Sequence, residues 1–212
     1  SRRKTAVLPI WARNMAESKI PSLKKEIRRQ IRTLRAELLK PESIGRKEIM
    51  DANIRNQVLA LLTGLRAETE LPATVYLYAS FGGEVDTFGL MDVLWQQGFS
   101  VALPRVAGER MDFYLVRGQK DLVRGFREIP EPAGHCEKAD CPQAVVITPG
   151  TAFTREGDRM GYGGGFYDRF FSEEPEHKRV AVCYPFQIFP VLPTEEHDKR
   201  MDVVLTGEQE NG

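Results

Sequence analysis

The sequence has few cysteines and no long apolar run, and each absence excludes a class of protein. No stretch of eighteen consecutive apolar residues exists, so no transmembrane helix is predicted. Only three cysteines occur in 212 residues, namely Cys136, Cys141 and Cys183. Such a sparse, odd set argues against a disulfide framework and predicts a reducing, cytoplasmic location. The content of 42% hydrophobic and 28% charged residues is ordinary for a globular domain with one core.

The chain also lacks net charge, but its charges are unevenly distributed. Lys and Arg together number 30, as do Asp and Glu. Residues 1–35 nevertheless contain eleven basic and two acidic residues, so this segment carries +9 and the remainder −9. A local basic block on a neutral chain predicts an anionic ligand bound nearby, and not a protein that coats nucleic acid. We expect residues 1–20 to be a flexible extension, residues 21–207 a single domain and residues 208–212 a tail.

Apolar residues at helical spacing predict two helices near the N-terminus. The first is expected to begin near Ser22 and to end before Pro41, and the second to cover residues 46–66. The residues expected to face the core are Ile27, Ile31, Leu34 and Leu38, followed by Ile49, Val58, Leu61, Leu62 and Leu65. Each helix would thus have one apolar face to pack against another element.

After Pro72 the pattern changes to short runs rich in β-branched residues. These runs predict strands over 73–79, 100–104, 111–116, 144–148, 179–183 and 202–206. Helices are predicted over 87–97 and just after the glycines at 161–165, whereas 117–143 is expected to be mostly loop. This alternation predicts an α/β, single-domain three-layer α/β/α sandwich with a mostly parallel, Rossmann-like sheet. Ligands in such folds bind in loops at the carboxyl ends of the strands.

The strongest candidate for chemistry is the stretch 157–169, which reads GDRMGYGGGFYDR. Its glycines at 161 and 163–165 remove side chains where the backbone could approach a phosphate, and the following helix N-terminus also favours anions. Arg159 adds a cationic fork, and Asp168 is suited to a cation that accompanies a nucleotide. The stretch is neither a Walker A loop nor a good Rossmann fingerprint. A surface turn is the alternative.

Two acidic residues follow the first predicted strand. Glu84 and Asp86 lie in the loop SFGGEVDT and could accept hydrogen bonds from the N–H groups of a heterocycle. The alternative is a glycine turn in which Asp86 or Thr87 only caps the next helix. The residues alone leave both readings open.

Two further features are weaker. Lys24 and Arg28 lie one helical turn apart and could reach a phosphate tail together, although most charge runs are simply solvated. Asp198, just before the last strand, could join Asp168 at a magnesium ion, because Mg²⁺ prefers oxygen ligands. A polar turn is the alternative for Asp198.

Five short motifs occur in order along the chain. They are Lys24-Lys25-Glu26-Ile27-Arg28, Gly83-Glu84-Val85-Asp86-Thr87, Pro149-Gly150-Thr151-Ala152-Phe153, the stretch from Gly157 to Asp168, and His197-Asp198 with the strand Val203 to Thr206. Together they resemble the 5-formyltetrahydrofolate cyclo-ligase family over residues 22–206. The resemblance implies an ATP- and Mg²⁺-dependent enzyme that converts 5-formyltetrahydrofolate to 5,10-methenyltetrahydrofolate.

The resemblance also implies roles for individual residues. The residues implied to hold ATP are Lys24, Lys25, Arg28, Arg159, Gly161, Gly163, Gly164, Gly165, Phe166 and Tyr167. Those implied to line the folate site are Phe81, Glu84, Asp86, Tyr162, Gly163, Gly164, Gly165 and Phe166. Asp168 and Asp198 would hold magnesium, and Arg159 and Asp168 would be catalytic. Phe166 departs from the family, which usually has a tyrosine there.

Three other interpretations compete with this one. A paralogue could keep the fold and ATP site but use another substrate, because a fold does not determine the acceptor. A nicotinamide-dependent oxidoreductase would need a glycine motif directly after a strand. A nucleic-acid binder would need a basic surface beyond the first helix, where the chain is acidic. We therefore expect small-molecule partners only, and a monomer.

Overall fold

The computed structural model describes residues 19–68, 74–125, 128–195 and 197–208 and shows a central sheet with helices on both faces. The α-helices are α1 (Ile20–Leu38), α2 (Ile44–Glu68), α3 (Thr87–Gln96) and α4 (Phe166–Glu173). The strands are β1 (Thr74–Tyr76), β2 (Ser100–Ala107), β3 (Arg110–Val116), β4 (Leu122–Arg124), β5 (Pro130–Pro132), β6 (Val145–Thr148), β7 (Ala152–Phe153), β8 (Arg159–Met160), β9 (Lys178–Val182) and β10 (Val203–Leu205). Short 3₁₀ turns cover Gln119–Asp121 and Pro185–Gln187. No described helix has the length and apolarity that crossing a bilayer requires.

The central sheet has six strands in the order β10-β9-β6-β1-β2-β3. Neighbours from β10 to β2 are parallel, and only β3 at the edge runs antiparallel, against β2. In the centre Val75 of β1 pairs with Val101 on one side and Val145 on the other. This topology confirms the expectation of a mostly parallel α/β sheet.

Alternation along the central strands produces a core on each face of the sheet. Val75 and Leu77 face a cluster built with residues of α2 and α3, whereas Tyr76 faces a second cluster that contains Phe170 and Phe171 of α4. This is the two-residue period of a pleated strand buried on both sides. The predicted three-layer arrangement is therefore confirmed.

Several local expectations are wrong. Helix α1 begins at Ile20 with Lys19 as its N-cap, and Ser22 lies in the first turn, where its hydroxyl donates to the Lys19 carbonyl. Leu34 and Ile49 are not core residues, since 42% and 65% of their surfaces are exposed. The described part of the region 117–143 is mostly loop, as expected, and it also contains the short hairpin β4–β5. The extension predicted over 1–20 lies almost wholly, and the tail over 208–212 mostly, outside the described residues.

Parallel strands bring distant loops to one edge of the sheet. The loop 77–86 follows β1, Pro149 and Gly150 follow β6, and the segment 183–187 follows β9. These are the carboxyl ends of the strands, where open α/β sheets bind ligands. The candidate site is built from these loops, the glycine-rich stretch and helix α1.

Candidate active site

Glu84 is a buried carboxylate at the end of the loop after β1, with only 4% of its surface exposed. Its Oε2 accepts a hydrogen bond from the Phe81 main-chain N–H at 3.0 Å, and its Oε1 accepts one from the Tyr162 hydroxyl. The Arg35 guanidinium lies 3.8 Å from Oε1. Burial raises the pKa of Glu84, while Arg35 and Tyr162 act in the opposite direction. The site thus holds a desolvated hydrogen-bond acceptor.

Arg35 is the residue that sequence reasoning missed. Its Nη1 donates to the Tyr162 hydroxyl oxygen at 2.8 Å, and its Nη2 donates to the Gly150 carbonyl at 2.8 Å. A signal was available, because Arg35 follows Ile31 by four positions and so falls on the apolar stripe of α1. A cation at a core position needs a buried partner. Leu34 was assigned to that stripe instead, and it is exposed.

Asp86 adopts the capping role that was left open. Its carboxylate accepts hydrogen bonds from the main-chain N–H groups of Phe88 and Gly89, so it is the N-cap of α3. An aspartate there satisfies N–H groups that the helix leaves unpaired. Phe81, in the same loop, is half exposed. Of the two acids, Glu84 is the one that the helix cap does not use.

The glycine-rich stretch packs against α1, as the phosphate hypothesis requires. Arg28 Nε donates to the Gly161 carbonyl at 3.1 Å. Gly163 and Gly165 have φ values of 100° and 67°, a region that disfavours residues with a Cβ. Gly163 and Gly165 are therefore required by the backbone conformation, in addition to leaving the backbone accessible. Lys25, by contrast, points to solvent on the same helix.

Arg159 and Asp168 form an ion pair beneath this stretch, with Nη2 and Oδ2 2.9 Å apart. Arg159 is buried and its Nη1 donates to the Pro149 carbonyl at 3.3 Å. Four buried side-chain atoms remain without a hydrogen-bond partner among the described residues, and two of them lie here, namely Arg159 Nε and the Tyr167 hydroxyl oxygen; the others are Arg35 Nε and Arg179 Nε. Burial raises the pKa of Tyr167, so this hydroxyl remains a donor. Such unmatched donors are costly unless a ligand or water meets them.

The turn before β10 supplies a further group of potential metal ligands, two carboxylates and one imidazole. The side chains of Glu195, His197 and Asp198 place one potential ligand atom each within 4.8 Å of one another. Lys24 Nζ lies 2.5 Å from Glu195 Oε2 and 3.8 Å from Asp198 Oδ2, and it lowers the pKa of Glu195. Helix α1 thus contacts this turn as well as the glycine-rich stretch.

Asp168 connects the glycine-rich stretch to the turn before β10. Its Oδ1 accepts a hydrogen bond at 3.0 Å from the main-chain N–H of Lys199, the residue directly after Asp198. This bond attaches Asp168 to the turn that carries Asp198, although Asp168 is not part of the close group formed by Glu195, His197 and Asp198. Phe166, at the start of α4, lies under the Arg169 guanidinium, 5.0 Å from the ring centre. The ring is partly buried and packs against the core cluster that contains Phe170 and Phe171.

Comparisons with known proteins identify one family. A model of the 5-formyltetrahydrofolate cyclo-ligase family matches residues 21–207. The 5-formyltetrahydrofolate cyclo-ligase of Escherichia coli (strain K12) is 36% identical over 146 residues, which cover 63% of this chain and 77% of that protein. The protein of the same name from Haemophilus influenzae is 28% identical over 191 residues, which cover 87% and 97%.

A solved structure resembles the whole fold. The NMR structure of Aquifex aeolicus 5,10-methenyltetrahydrofolate synthetase superimposes with a TM-score of 0.71 at 29% identity. The superposition covers 88% of this chain and 91% of that one. The similarity therefore extends over most of the chain.

Proposed function

This chain belongs to the 5-formyltetrahydrofolate cyclo-ligase family, whose model spans residues 21–207, and we propose that it makes 5,10-methenyltetrahydrofolate from 5-formyltetrahydrofolate. The reaction would consume ATP with Mg²⁺ and release ADP and phosphate. The expectation of a ligase of this family agrees with the relatives described above. The residue roles below are part of the proposal.

One observation carries the proposal: Tyr162, within the glycine-rich stretch, hydrogen-bonds to the buried Glu84. This contact puts the proposed phosphate site and the proposed heterocycle acceptor side by side. A reaction between a nucleotide and a pterin needs that arrangement, because positioning supplies much of the acceleration.

Glu84 would accept hydrogen bonds from the N–H groups of the pterin. Arg35 and Tyr162 favour its ionised form against the effect of burial. A buried charged acceptor discriminates strongly against ligands that lack the matching donors, which would leave it unpaired. Asp86 would support this role indirectly, by fixing the start of α3.

The residues around 161–165 fit a triphosphate. The glycine-rich backbone and the N-terminus of α4 offer N–H groups, and Arg28 and Arg159 add positive charge. The buried Arg159 Nε and Tyr167 hydroxyl have no hydrogen-bond partner among the described residues, and a polar ligand would supply one, which supports this proposal. Lys24, on the same helix as Arg28, lies beside Asp198.

Asp168 and Asp198 fit a magnesium ion, because carboxylate oxygens are its preferred protein ligands. Glu195 lies beside Asp198 and is a third candidate. A magnesium ion held there would neutralise charge on the phosphates. Arg159 orients the Asp168 carboxylate through the 2.9 Å ion pair.

The chemistry requires no nucleophilic side chain. The formyl oxygen of the substrate would attack the γ-phosphorus of ATP, so that an O–P bond forms and ADP leaves. N10 would then attack the activated formyl carbon and lose its proton, and phosphate would depart with the former formyl oxygen. Cationic side chains such as Arg28 and Arg159 stabilise charge in the phosphoryl transfer without covalent participation.

We also propose a cytoplasmic, monomeric enzyme that binds small molecules only. The described cysteines are free thiols, which fits a reducing compartment. Purified protein with ATP, Mg²⁺ and 5-formyltetrahydrofolate should form the methenyl product, followed by its absorbance. Omission of ATP or Mg²⁺ should abolish turnover. Absence of turnover with all three at saturation would reject the proposal and favour a paralogue with another acceptor.

A further inference from the structure

A cluster of buried polar side chains lies behind the loop that carries Glu84. Lys47 and Asp51 come from α2, and their Nζ and Oδ2 atoms are 2.7 Å apart. Only 9% and 7% of their surfaces are exposed. Tyr184, which follows β9 and is fully buried, donates its hydroxyl proton to Asp51 Oδ1 at 2.7 Å.

This cluster contacts the main chain of the loop. The Asp86 N–H donates to Asp51 Oδ1 at 3.2 Å. The Tyr184 hydroxyl lies 3.0 Å from the Glu84 carbonyl oxygen. The Glu84 carbonyl and the Asp86 N–H, on either side of Val85, are therefore held by this cluster. The Glu84 carboxylate instead contacts Tyr162 and Arg35.

Stability alone is a weak reason for this arrangement. A buried ion pair such as Lys47–Asp51 adds little net stability, because the loss of hydration offsets the attraction. The cluster instead fixes geometry, since Asp51 accepts one hydrogen bond from Lys47 on its own helix and two from other segments, through the Asp86 N–H and the Tyr184 hydroxyl. Burial and the bond to Asp51 also raise the pKa of Tyr184, so its hydroxyl keeps its proton.

The same segment after β9 fixes a second part of the site. Gln187 is fully buried, and its Nε2 donates to the carbonyls of Gly150 and Thr151 at 3.1 and 3.0 Å. Its Oε1 accepts from the Tyr184 N–H at 3.0 Å. The Gly150 carbonyl is also the acceptor for Arg35. The segment 184–187 thus supports Glu84 directly and Arg35 through Gly150.

We propose that Asp51 and Tyr184 are positioning residues for the folate: they hold the main chain of residues 84–86 so that the Glu84 carboxylate meets the pterin. Neither side chain touches substrate. The inference rests on the proposed function. It predicts that damage to this cluster weakens folate binding while leaving nucleotide binding and the chemical step intact.

Tyr184→Phe is the sharpest test, because it removes one hydroxyl and keeps the ring. We expect the KM for 5-formyltetrahydrofolate to rise about tenfold, which corresponds to about 1.4 kcal/mol. The kcat and the KM for ATP should stay within about twofold, since a well-formed complex retains its transition-state contacts. Tyr76→Phe is the matched control, because Tyr76 is equally buried and its hydroxyl accepts a main-chain hydrogen bond from Cys141, away from the site.

Asp51→Asn gives an independent arm. Asp121→Asn is its control, since Asp121 is also buried and accepts a main-chain hydrogen bond, from Arg117 at 2.7 Å. The proposal predicts a raised KM for folate in Asp51→Asn but not in Asp121→Asn, at comparable losses of Tm. If Asp51→Asn does not fold, Tyr184→Phe decides the question alone.

The possible failures are distinguishable. An inactive wild type rejects the proposed function, and this inference with it. An active wild type whose Tyr184→Phe variant has an unchanged KM for folate overturns the inference alone. An equal rise in the KM values for folate and ATP does so too, because it indicates general loosening of the fold.

Discussion

The Tyr162 hydroxyl, in the glycine-rich stretch, connects Arg35 to Glu84. Arg35 lies on α1, and Glu84 lies in the loop after β1. The hydroxyl accepts a hydrogen bond from Arg35 Nη1 at 2.8 Å and donates one to Glu84 Oε1. A neutral hydroxyl therefore bridges a buried cation and a buried anion that are 3.8 Å apart. Charge-assisted hydrogen bonds of this kind are stronger than neutral ones.

Removal of that bridge should weaken folate binding selectively. In Tyr162→Phe the Glu84 carboxylate keeps its contacts with Arg35 and the Phe81 N–H but loses the hydrogen bond from the Tyr162 hydroxyl. We expect the KM for 5-formyltetrahydrofolate to rise about five- to tenfold, the effect of one hydrogen bond. Steady-state kinetics with each substrate varied in turn would measure this.

Tyr114→Phe is the control for that variant, because Tyr114 lies on the edge strand β3, where it stacks under Arg105. Its kinetics should match the wild type. A normal KM for folate in Tyr162→Phe would remove the hydroxyl from the proposed recognition of substrate.

Gly83 and Gly82 offer a comparison between adjacent residues. Both have positive φ, 80° and 57°. A Cβ on Gly83 would lie 2.6 Å from the Arg35 carbonyl oxygen, whereas a Cβ on Gly82 would meet nothing within 4 Å. Gly82→Ala should therefore lose only about 1 kcal/mol of stability from backbone strain, and Gly83→Ala distinctly more.

The two variants should also differ in function. The clash at Gly83 must displace either α1 at Arg35 or the loop at Glu84, so Gly83→Ala should raise the KM for folate, and Gly82→Ala should not. Thermal unfolding and kinetics on both proteins would check this. Equal Tm values for the pair would show that the loop adjusts freely, contrary to the close approach seen here.

Asp168 should be necessary for turnover and dispensable for folding. Asp168→Asn keeps an acceptor for the Lys199 N–H but removes the charge that pairs with Arg159 and the proposed magnesium ligand. We expect turnover to fall by at least about a hundredfold and the half-saturating Mg²⁺ concentration to rise. Circular dichroism should show an intact fold.

Asp112→Asn controls for the loss of a carboxylate, because Asp112 pairs with Lys138 at 2.7 Å on the edge strand β3. It should retain wild-type turnover and Mg²⁺ dependence. Full activity of Asp168→Asn at low Mg²⁺ would exclude Asp168 from the metal site.

Much of this architecture could be predicted from local patterns. Val75, Val101 and Val145 belong to short β-branched runs, and each run became a parallel strand at the predicted place. Gly163 and Gly165 likewise adopt the positive-φ conformations that glycine permits. Such features depend on neighbours in sequence, which is why the sequence reveals them.

What could not be predicted depends on partners distant in sequence. The helical spacing from Ile31 to Arg35 indicates that Arg35 is buried, but its partners Glu84, Tyr162 and Gly150 come from distant loops and are known only from the fold. Asp51 gave no signal, because its partner Tyr184 lies 133 residues away. Buried polar residues acquire their meaning only when tertiary contacts are known.

The raised pKa of Glu84 leads to a prediction about pH. Burial is its largest cause, opposed by Arg35 and Tyr162, so Glu84 takes up a proton at a higher pH than the ordinary value of 4.5. The protonated acid cannot accept the pterin N–H groups as a carboxylate does. The KM for 5-formyltetrahydrofolate should therefore rise as the pH falls toward this pKa.

In Glu84→Gln the KM for 5-formyltetrahydrofolate should be high and nearly independent of pH in the same range. Glu208→Gln, at an exposed residue that pairs with Arg155, should behave like the wild type.

The same shift has a consequence for stability, with a defined sign. Because the pKa of Glu84 is raised in the folded protein, protonation favours folding: its contribution is full below the unfolded pKa and is lost as the pH rises through the folded pKa. The Tm of Glu84→Gln relative to wild type should therefore increase between acidic and neutral pH, even though the variant binds folate poorly. Scanning calorimetry of both proteins across this range would measure the difference. A Tm difference that shrinks as the pH rises would mean that Arg35 and Tyr162 outweigh burial, and that Glu84 is held as a stable ion pair and not as a strained acceptor awaiting its ligand.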